Sequence, residues 1–225
     1  MRKSKKSPQA ELNFSSKRGG KRKGAGRKKK LEGQPNHVKR PEISGKAPLH
    51  ITLKLQSGIQ SPRSLEGMDN FQNAFAKAAK LGLKVIHFSL QSNHAHIIAE
   101  VMNNEALERG MKSLTVAIAH AINTARKTAG AVFLGRYHLH PLKTPKEVKN
   151  ALKYVLFNFS KHLGIKPTLD PFSSVFGFKD LEKLMGKDTF EKLKQIRPPK
   201  WLRESLSRLF PPTTWLLRSG WQRAR

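Results

Sequence analysis

Short runs of β-type residues alternate with longer amphipathic segments from His50 onward, and this alternation restricts the fold more than any other feature of the chain. HITLKL alternates apolar and polar residues, LKVIHFSL and HAHIIAEVM are short apolar runs, and AVFLGRYHLHPL is typical of a fourth strand. Among these runs, NFQNAFAKAAKLG has helical spacing and a glycine stop. NNEALERGMKSLTVAIAHAINTARKTAG has an asparagine cap, an acidic residue in its first turn and a terminal glycine. The pattern therefore predicts four strands and two helices here.

A third helix is predicted at TPKEVKNALKYVLFNFSKHLG. Thr144 is a suitable cap, Pro145 occupies the first helical position and Glu147 follows three residues after the cap. The predicted order is then strand, helix, strand, strand, helix, strand, helix. This order predicts an α+β protein with a ferredoxin-like antiparallel sheet, helices packed on one face and one helix added.

The chain divides into three predicted parts. Residues 1–46 carry 16 Lys or Arg and three acidic residues, with Gly and Ser among them, which indicates a basic flexible tail. Residues 47–164 contain the predicted strands and helices and form the one folded domain expected for a chain of 225 residues. Residues 165–225 are rich in Pro and aromatic residues, so we expect a C-terminal extension that packs on the domain or is partly disordered.

Positive charge implies a polyanionic partner. Lys and Arg number 44 against 15 Asp and Glu, a net charge of +29, and nucleic acid is the first candidate. No apolar stretch approaches the length of a membrane span or follows the basic start as a signal peptide would, so we expect a cytoplasmic protein without membrane contact. The lack of Cys excludes disulfides and thiolate metal sites. The tail residues expected to bind phosphates without sequence preference are Lys21, Arg22, Lys23, Arg27, Lys28, Lys29 and Lys30.

Two histidines lie one residue apart in SLQSNHAHIIAEVM. Side chains alternate between the two faces of a strand, so His94 and His96 are expected on one face and Ala95 on the other. Such a pair suits a single metal ion, although histidines on sheets are more often half-buried polar residues. Neighbouring predicted strands add histidines that either join this site or pack elsewhere, namely His87, His138 and His140.

The predicted third helix supplies the groups that would complete a reactive site. Its apolar stripe should cover the sheet, with Tyr154, Asn158 and Lys161 on the opposite side. The carbonyl oxygen of Asn158 would complete a shell with the two histidines around a hard divalent ion, which would bind a phosphate oxygen. A tyrosine hydroxyl is a useful nucleophile only beside a cation or a base, and Lys161 and Arg136 are candidates to assist it. Alternatively, Tyr154 packs against the C-terminal segment.

SLQSNHAHIIAE, followed by YVLFN in the predicted third helix, resembles the single-tyrosine transposases of the HUH endonuclease superfamily, in particular the REP-associated tyrosine transposase group. The resemblance covers residues 47–164 and includes HITLKL and GRYHLHPL. It implies a catalytic domain in which His94 and His96 bind Mg²⁺ or Mn²⁺, with Asn158 as the third ligand. Tyr154 would attack a phosphodiester in single-stranded or hairpin DNA and give a 5′-phosphotyrosine and a free 3′-hydroxyl. Related proteins act as monomers or as homodimers.

Four functions remain open on these grounds. The leading hypothesis is a transposase-type endonuclease that nicks and rejoins DNA. A domesticated relative would bind hairpin DNA without mobility. A basic nucleic-acid-binding protein, in which the histidines merely pack, would show neither metal dependence nor a covalent adduct. A metal-dependent hydrolase that uses water would still cleave DNA after Tyr154→Phe.

Overall fold

A computed structural model describes residues 42–162, 168–206 and 209–224, which all belong to one compact unit, residues 39–225. The predicted tail lies outside the described residues except for 42–46, and its seven candidate phosphate-binding residues lie outside them too. Among the helices of the described residues, none has both the length and the apolar character that a membrane crossing requires.

The strands and long helices follow the predicted order. They are β1 (Leu49–Lys54), α1 (Leu65–Ala79), β2 (Lys84–Leu90), β3 (His94–Glu100), α2 (Asn104–Arg126), β4 (His138–Pro141) and α3 (Pro145–His162). The described residues of the C-terminal extension form the short helices α4 (Leu181–Met185), α5 (Lys187–Leu193), α6 (Lys200–Leu206) and α7 (Trp215–Arg218) and two 3₁₀ helices, Ser174–Gly177 and Gly220–Arg223.

The four strands form one antiparallel sheet in the order β2-β3-β1-β4. This is the arrangement of a ferredoxin-like sheet, so the fold class predicted from the sequence is confirmed. β4 is shorter than AVFLGRYHLHPL predicted, because only its last residues pair with β1 as a continuous strand. Gly130 and Gly135 precede it with φ angles of +117° and +69°, and these left-handed conformations turn the chain before the strand begins.

Each face of the sheet carries its own apolar core. α1 and α2 pack on one face, against alternate residues of the central strands such as Ile51 and Ile97. α3 covers the other face, where Ile86 and Ile98 join its apolar residues. The prediction of helices on one face therefore holds for α1 and α2, whereas the added helix α3 lies on the opposite face. The first face is already filled, so the stripe of α3 can bury apolar surface only on the second.

α3 begins with the predicted capping arrangement and contains a kink. The Thr144 N–H donates to Glu147 Oε2 at 2.8 Å, and the Glu147 N–H donates to Thr144 Oγ1 at 3.2 Å. Burial raises the pKa of Glu147, but the hydrogen bonds that its carboxylate accepts from the N–H and hydroxyl of Thr144 and from the Lys143 N–H outweigh it and lower the pKa overall. Phe157 has non-helical angles, φ −119° and ψ 15°, so the helix is kinked between Tyr154 and Asn158.

The described part of the extension packs on both cores. Leu202 of α6 belongs to the core beneath α1 and α2, and Trp221 belongs to the core beside α3. The extension also binds the end of β3, because Glu100 accepts hydrogen bonds from the N–H and hydroxyl groups of Thr213 and Thr214 at 2.5–2.9 Å. These contacts hold the extension against the strand that carries the two histidines.

A second anchor of the extension is a buried ion pair. The Arg63 guanidinium donates to both carboxylate oxygens of Asp170, at 2.8 and 2.9 Å, and to the Leu90 carbonyl oxygen at 2.7 Å. Asp170 is only 1% exposed. The guanidinium also lies 3.8 Å from the centroid of the Phe159 ring in α3. Arg63 thus connects β2, α3 and the extension.

Candidate active site

His94 and His96 share one face of β3, as the alternation of the sequence predicts. Their ring centroids are 4.7 Å apart and their planes are nearly perpendicular, at 85°. Ala95 and Ile97 point to the core beneath α1 and α2, whereas Ile98 joins the core beside α3. The two imidazoles therefore lie on the α3 face of the sheet.

β1 supplies two polar contacts to His96. In the antiparallel pairing of β1 with β3, Thr52 lies opposite His96 and His50 lies opposite Ile98. The Nδ1 atom of His96 is 3.2 Å from His50 Nε2 and 3.2 Å from Thr52 Oγ1. The ring of His96 is buried, with 4% exposure, so these contacts lie largely out of solvent. His94 is held differently, because its Nδ1 atom lies 2.8 Å from Oδ1 of Asn93.

Tyr154 of α3 lies against the imidazoles from the same chain. Its ring centroid is 4.9 Å from that of His96 and 5.9 Å from that of His50, and both contacts are edge-on. The expectation that Tyr154 lies on the side of α3 away from the sheet is therefore wrong. α3 is enclosed by the sheet on one side and by α7 and the second 3₁₀ helix on another, so more than its apolar stripe is covered.

Asn158 is also enclosed, contrary to the same expectation. It is 1% exposed, and neither atom of its carboxamide has a hydrogen-bond partner among the described residues. A buried amide without partners costs about 1–3 kcal/mol, so its presence needs a reason. Asn158 follows Tyr154 by four residues, which places the two on the same side of the helix apart from the kink at Phe157.

The donor set predicted from the sequence for a metal ion consists of two imidazoles, from His94 and His96, and the carboxamide oxygen of Asn158. Within the described ranges, no group of three or more His, Cys, Asp or Glu residues is arranged to hold a metal ion. A site built on His94 and His96 would therefore need further oxygen ligands, such as Asn158 or a substrate. The residue types fit this use, because the buried Asn158 amide has no hydrogen-bond partner among the described residues and a mixed nitrogen and oxygen set suits a divalent ion with open positions.

His50 is electrostatically unusual. Burial, with smaller contributions from the charges of His138 and His140, lowers the pKa of His50 to about 4. The imidazole is therefore neutral at neutral pH. His138 and His140 are exposed on β4, where they lie opposite Thr52 and His50 in the pairing with β1.

His87, another candidate, lies on β2 and is not brought to the pair. Its Nδ1 atom is 3.2 Å from Ser174 Oγ, and its ring stands edge-on to Phe178 with 5.2 Å between centroids. Burial lowers the pKa of His87 to about 4. His87 therefore packs as a neutral residue between β2 and the extension.

Arg136 and Lys161 were the cations expected to assist Tyr154. Arg136 is exposed in the bend before β4, and the side chain of Lys161 lies outside the described part of α3. Three residues near the histidine pair were not predicted from the sequence. Lys54 is exposed and lies opposite His94 in the pairing of β1 with β3, and His50 and Thr52 are neighbours of His96. The alternation in LHITLK places these three residues on one face, but the pairing that brings them to β3 is not visible in the sequence.

The fold is similar to that of a solved structure of a REP-associated tyrosine transposase bound to a REP hairpin. The match has a TM-score of 0.52 and 16% sequence identity, and it covers 62% of this chain and 82% of that chain. No protein-family model matches the sequence, and no curated protein matches it. The similarity is therefore one of fold, and the roles of individual residues rest on the geometry of the site.

Proposed function

We propose that this protein is a transposase-type endonuclease that nicks and rejoins single-stranded hairpin DNA through a covalent bond to Tyr154. The observation that carries the proposal is the position of the Tyr154 ring, 4.9 Å from that of His96. DNA as the substrate is supported by the fold shared with a transposase bound to a hairpin and by the net charge of +29.

The chemistry exchanges one phosphodiester for another. The hydroxyl oxygen of Tyr154 attacks a backbone phosphorus atom and gives up its proton to solvent. The bond from phosphorus to the 3′ oxygen breaks, that oxygen takes up a proton, and the 5′ phosphate remains on the tyrosine. Attack by the 3′-hydroxyl of another DNA end reverses the step, joins the two ends and releases Tyr154. Neither step consumes water or an energy source.

His94, His96 and Asn158 would hold Mg²⁺ or Mn²⁺, and a bound divalent ion supplies positive charge to a phosphate oxygen during attack. Lys54 on β1 and Arg136 in the bend before β4 are exposed and would contact the DNA backbone. Such contacts make binding depend on salt concentration.

Covalent trapping tests the proposal. A pool of hairpin oligonucleotides with varied single-stranded flanks is labelled at the 5′ or the 3′ end, incubated with Mn²⁺ and run on a denaturing protein gel. A 5′-phosphotyrosine keeps the downstream fragment, so only the 3′ label should move with the protein. The chain has two tyrosines, which provides a matched control. Tyr154→Phe should lose the adduct, whereas Tyr137→Phe, at a residue that packs on the opposite core, should keep it.

The alternatives give other patterns. An adduct that persists in Tyr154→Phe would reject Tyr154 as the nucleophile. Cleavage without an adduct that survives Tyr154→Phe would identify a hydrolase that uses water. Tight hairpin binding without cleavage or an adduct would identify a non-catalytic binding protein. His94→Ala should strongly reduce the adduct, because it removes one of the proposed metal ligands.

A further inference from the structure

Both candidate metal ligands are contacted at the same ring nitrogen. Nδ1 of His94 lies 2.8 Å from Asn93 Oδ1, and a carbonyl oxygen only accepts hydrogen bonds. The proton of a neutral His94 ring is therefore on Nδ1. Nδ1 of His96 lies 3.2 Å from His50 Nε2 and 3.2 Å from Thr52 Oγ1, and both of these atoms are able to accept.

The position of this proton decides which nitrogen binds a metal ion. A neutral imidazole has one N–H and one nitrogen with a lone pair, and only the latter is a ligand. Histidines that bind metals usually donate their other N–H to a neighbouring acceptor, which fixes the tautomer and the ring orientation. At His96 that neighbour is not a carboxylate, because β1 presents an imidazole and a hydroxyl at this position.

We propose that Asn93, His50 and Thr52 are positioning residues that hold His94 and His96 in the Nδ1–H tautomer, so that both rings present Nε2 to a divalent ion. Asn93 precedes His94 in the chain, whereas His50 and Thr52 reach His96 from the neighbouring strand. The metal-binding part of this inference rests on the proposed function. The tautomer part concerns the metal-free protein and stands independently.

Nitrogen NMR of the metal-free protein tests the tautomer directly. The protein is labelled with ¹⁵N in its histidine rings, and the signals of His94 and His96 are assigned by His94→Gln and His96→Gln. Both rings should show the Nδ1–H tautomer in the wild type. The double variant His50→Phe/Thr52→Val removes both acceptors and should shift His96, but not His94, toward the Nε2–H tautomer. Asn93→Leu removes the acceptor at His94 and should shift His94, but not His96, toward the Nε2–H tautomer.

Single substitutions at Thr52 test the same inference if the double variant does not fold. Thr52→Ser keeps the hydroxyl and should retain the tautomer, and Thr52→Val alone should give a partial shift of His96. The matched control is His120→Ala, which removes an exposed imidazole from α2 and should leave both tautomers unchanged. An Nε2–H tautomer of His96 in the wild type, or no shift in the double variant, would overturn the inference.

Mn²⁺ titration, followed by electron paramagnetic resonance, separates this inference from the proposed function. The double variant and Asn93→Leu should each bind Mn²⁺ about 10–100-fold more weakly than the wild type, whereas His120→Ala should bind normally. Unchanged affinity in both variants would refute the positioning role. If the wild type itself binds no Mn²⁺, the metal in the proposed function is wrong, and the tautomer assignment is then decided by the NMR result alone.

Discussion

The ring of Tyr154 stands edge-on to the ring of His96, with 4.9 Å between their centroids and 75° between their planes. The two residues come from α3 and β3 of one chain, and His50 of β1 contacts both rings. A phenol and a group of imidazoles thus meet on the sheet without a second copy of the chain. The proposed nucleophile Tyr154 and the proposed metal ligand His96 therefore come from the same chain in this structure.

Replacing Asn158 should have opposite effects on stability and on metal binding. Asn158→Leu removes a buried amide that has no partner among the described residues and puts an apolar side chain of similar size in its place. We expect the metal-free variant to gain about 1–3 kcal/mol in the free energy of unfolding. The loss of this proposed oxygen ligand should weaken Mn²⁺ binding at least about tenfold. Chemical denaturation and Mn²⁺ titration measure the two effects.

The control for Asn158 is Asn150→Leu, at an exposed position of the same helix. That variant should leave both the unfolding free energy and the Mn²⁺ affinity nearly unchanged. Lower stability of Asn158→Leu together with normal Mn²⁺ affinity would show that Asn158 has a structural role only.

Removal of Arg63 should destabilise the fold strongly. Arg63→Met leaves the Asp170 carboxylate, which is 1% exposed, without its bidentate partner. Breaking one half of a buried pair costs about 3–5 kcal/mol. The exposed pair of Lys183 and Asp180 is the matched control, because Lys183→Met should cost less than about 1 kcal/mol. Urea denaturation of the two variants compares them, and equal losses would contradict the role of Arg63 as an anchor.

Acid should destabilise the fold through His87. Burial lowers the pKa of His87 to about 4 from its ordinary value of 6.5. As the pH falls, the unfolded chain takes up a proton near pH 6.5, whereas the folded chain resists it until about pH 4. Stability is therefore intact above pH 6.5 and declines toward pH 4, by at most about 3 kcal/mol at about 1.36 kcal/mol per pKa unit.

Thermal denaturation between pH 7.5 and pH 4 tests the role of His87. The melting temperature of His87→Gln should decline less steeply than that of the wild type. His120→Gln, which replaces an exposed histidine of α2, should follow the wild-type curve. An identical slope for His87→Gln and the wild type would show that another group causes the acid sensitivity.

The basic tail should contribute affinity for DNA without changing the cleavage position. Deletion of residues 1–40 removes much of the positive charge of the tail, and each phosphate contact on a single strand contributes about 0.7 to the slope of log K against log salt. The truncated protein should therefore bind hairpin DNA with a shallower salt dependence, measured by fluorescence anisotropy. A full-length variant with Gln at the seven tail positions from Lys21 to Lys30 controls for chain length. Equal slopes in all three proteins would exclude the tail from binding.

The sequence predicted helices and strands correctly where interactions between residues close in the chain determine them. The capping residues Thr144 and Glu147 marked the start of α3, and alternation placed His94 and His96 on one face. The extent of β4 was overestimated, because apolar residues before it suggested strand while Gly130 and Gly135 turn the chain. An alternating pattern predicts a strand, but it does not show where a turn interrupts that strand.

The site itself depends on contacts between distant segments, which local patterns do not encode. His50 became a neighbour of His96 only through the register of β1 with β3. The burial of Asn158 could not be anticipated, because the sequence does not show which elements pack around α3. The sequence therefore indicated which residues form the candidate site, but not which other residues contact and enclose them.

The hydrogen bonds from Thr213 and Thr214 to Glu100 join the end of β3 to a segment that is synthesised much later. During synthesis, β3 leaves the ribosome more than a hundred residues before these threonines do. Until they emerge, the carboxylate at the end of the histidine strand lacks the partners that compensate for its burial. The end of this strand therefore reaches its final hydrogen bonding only after residue 214 has left the exit tunnel.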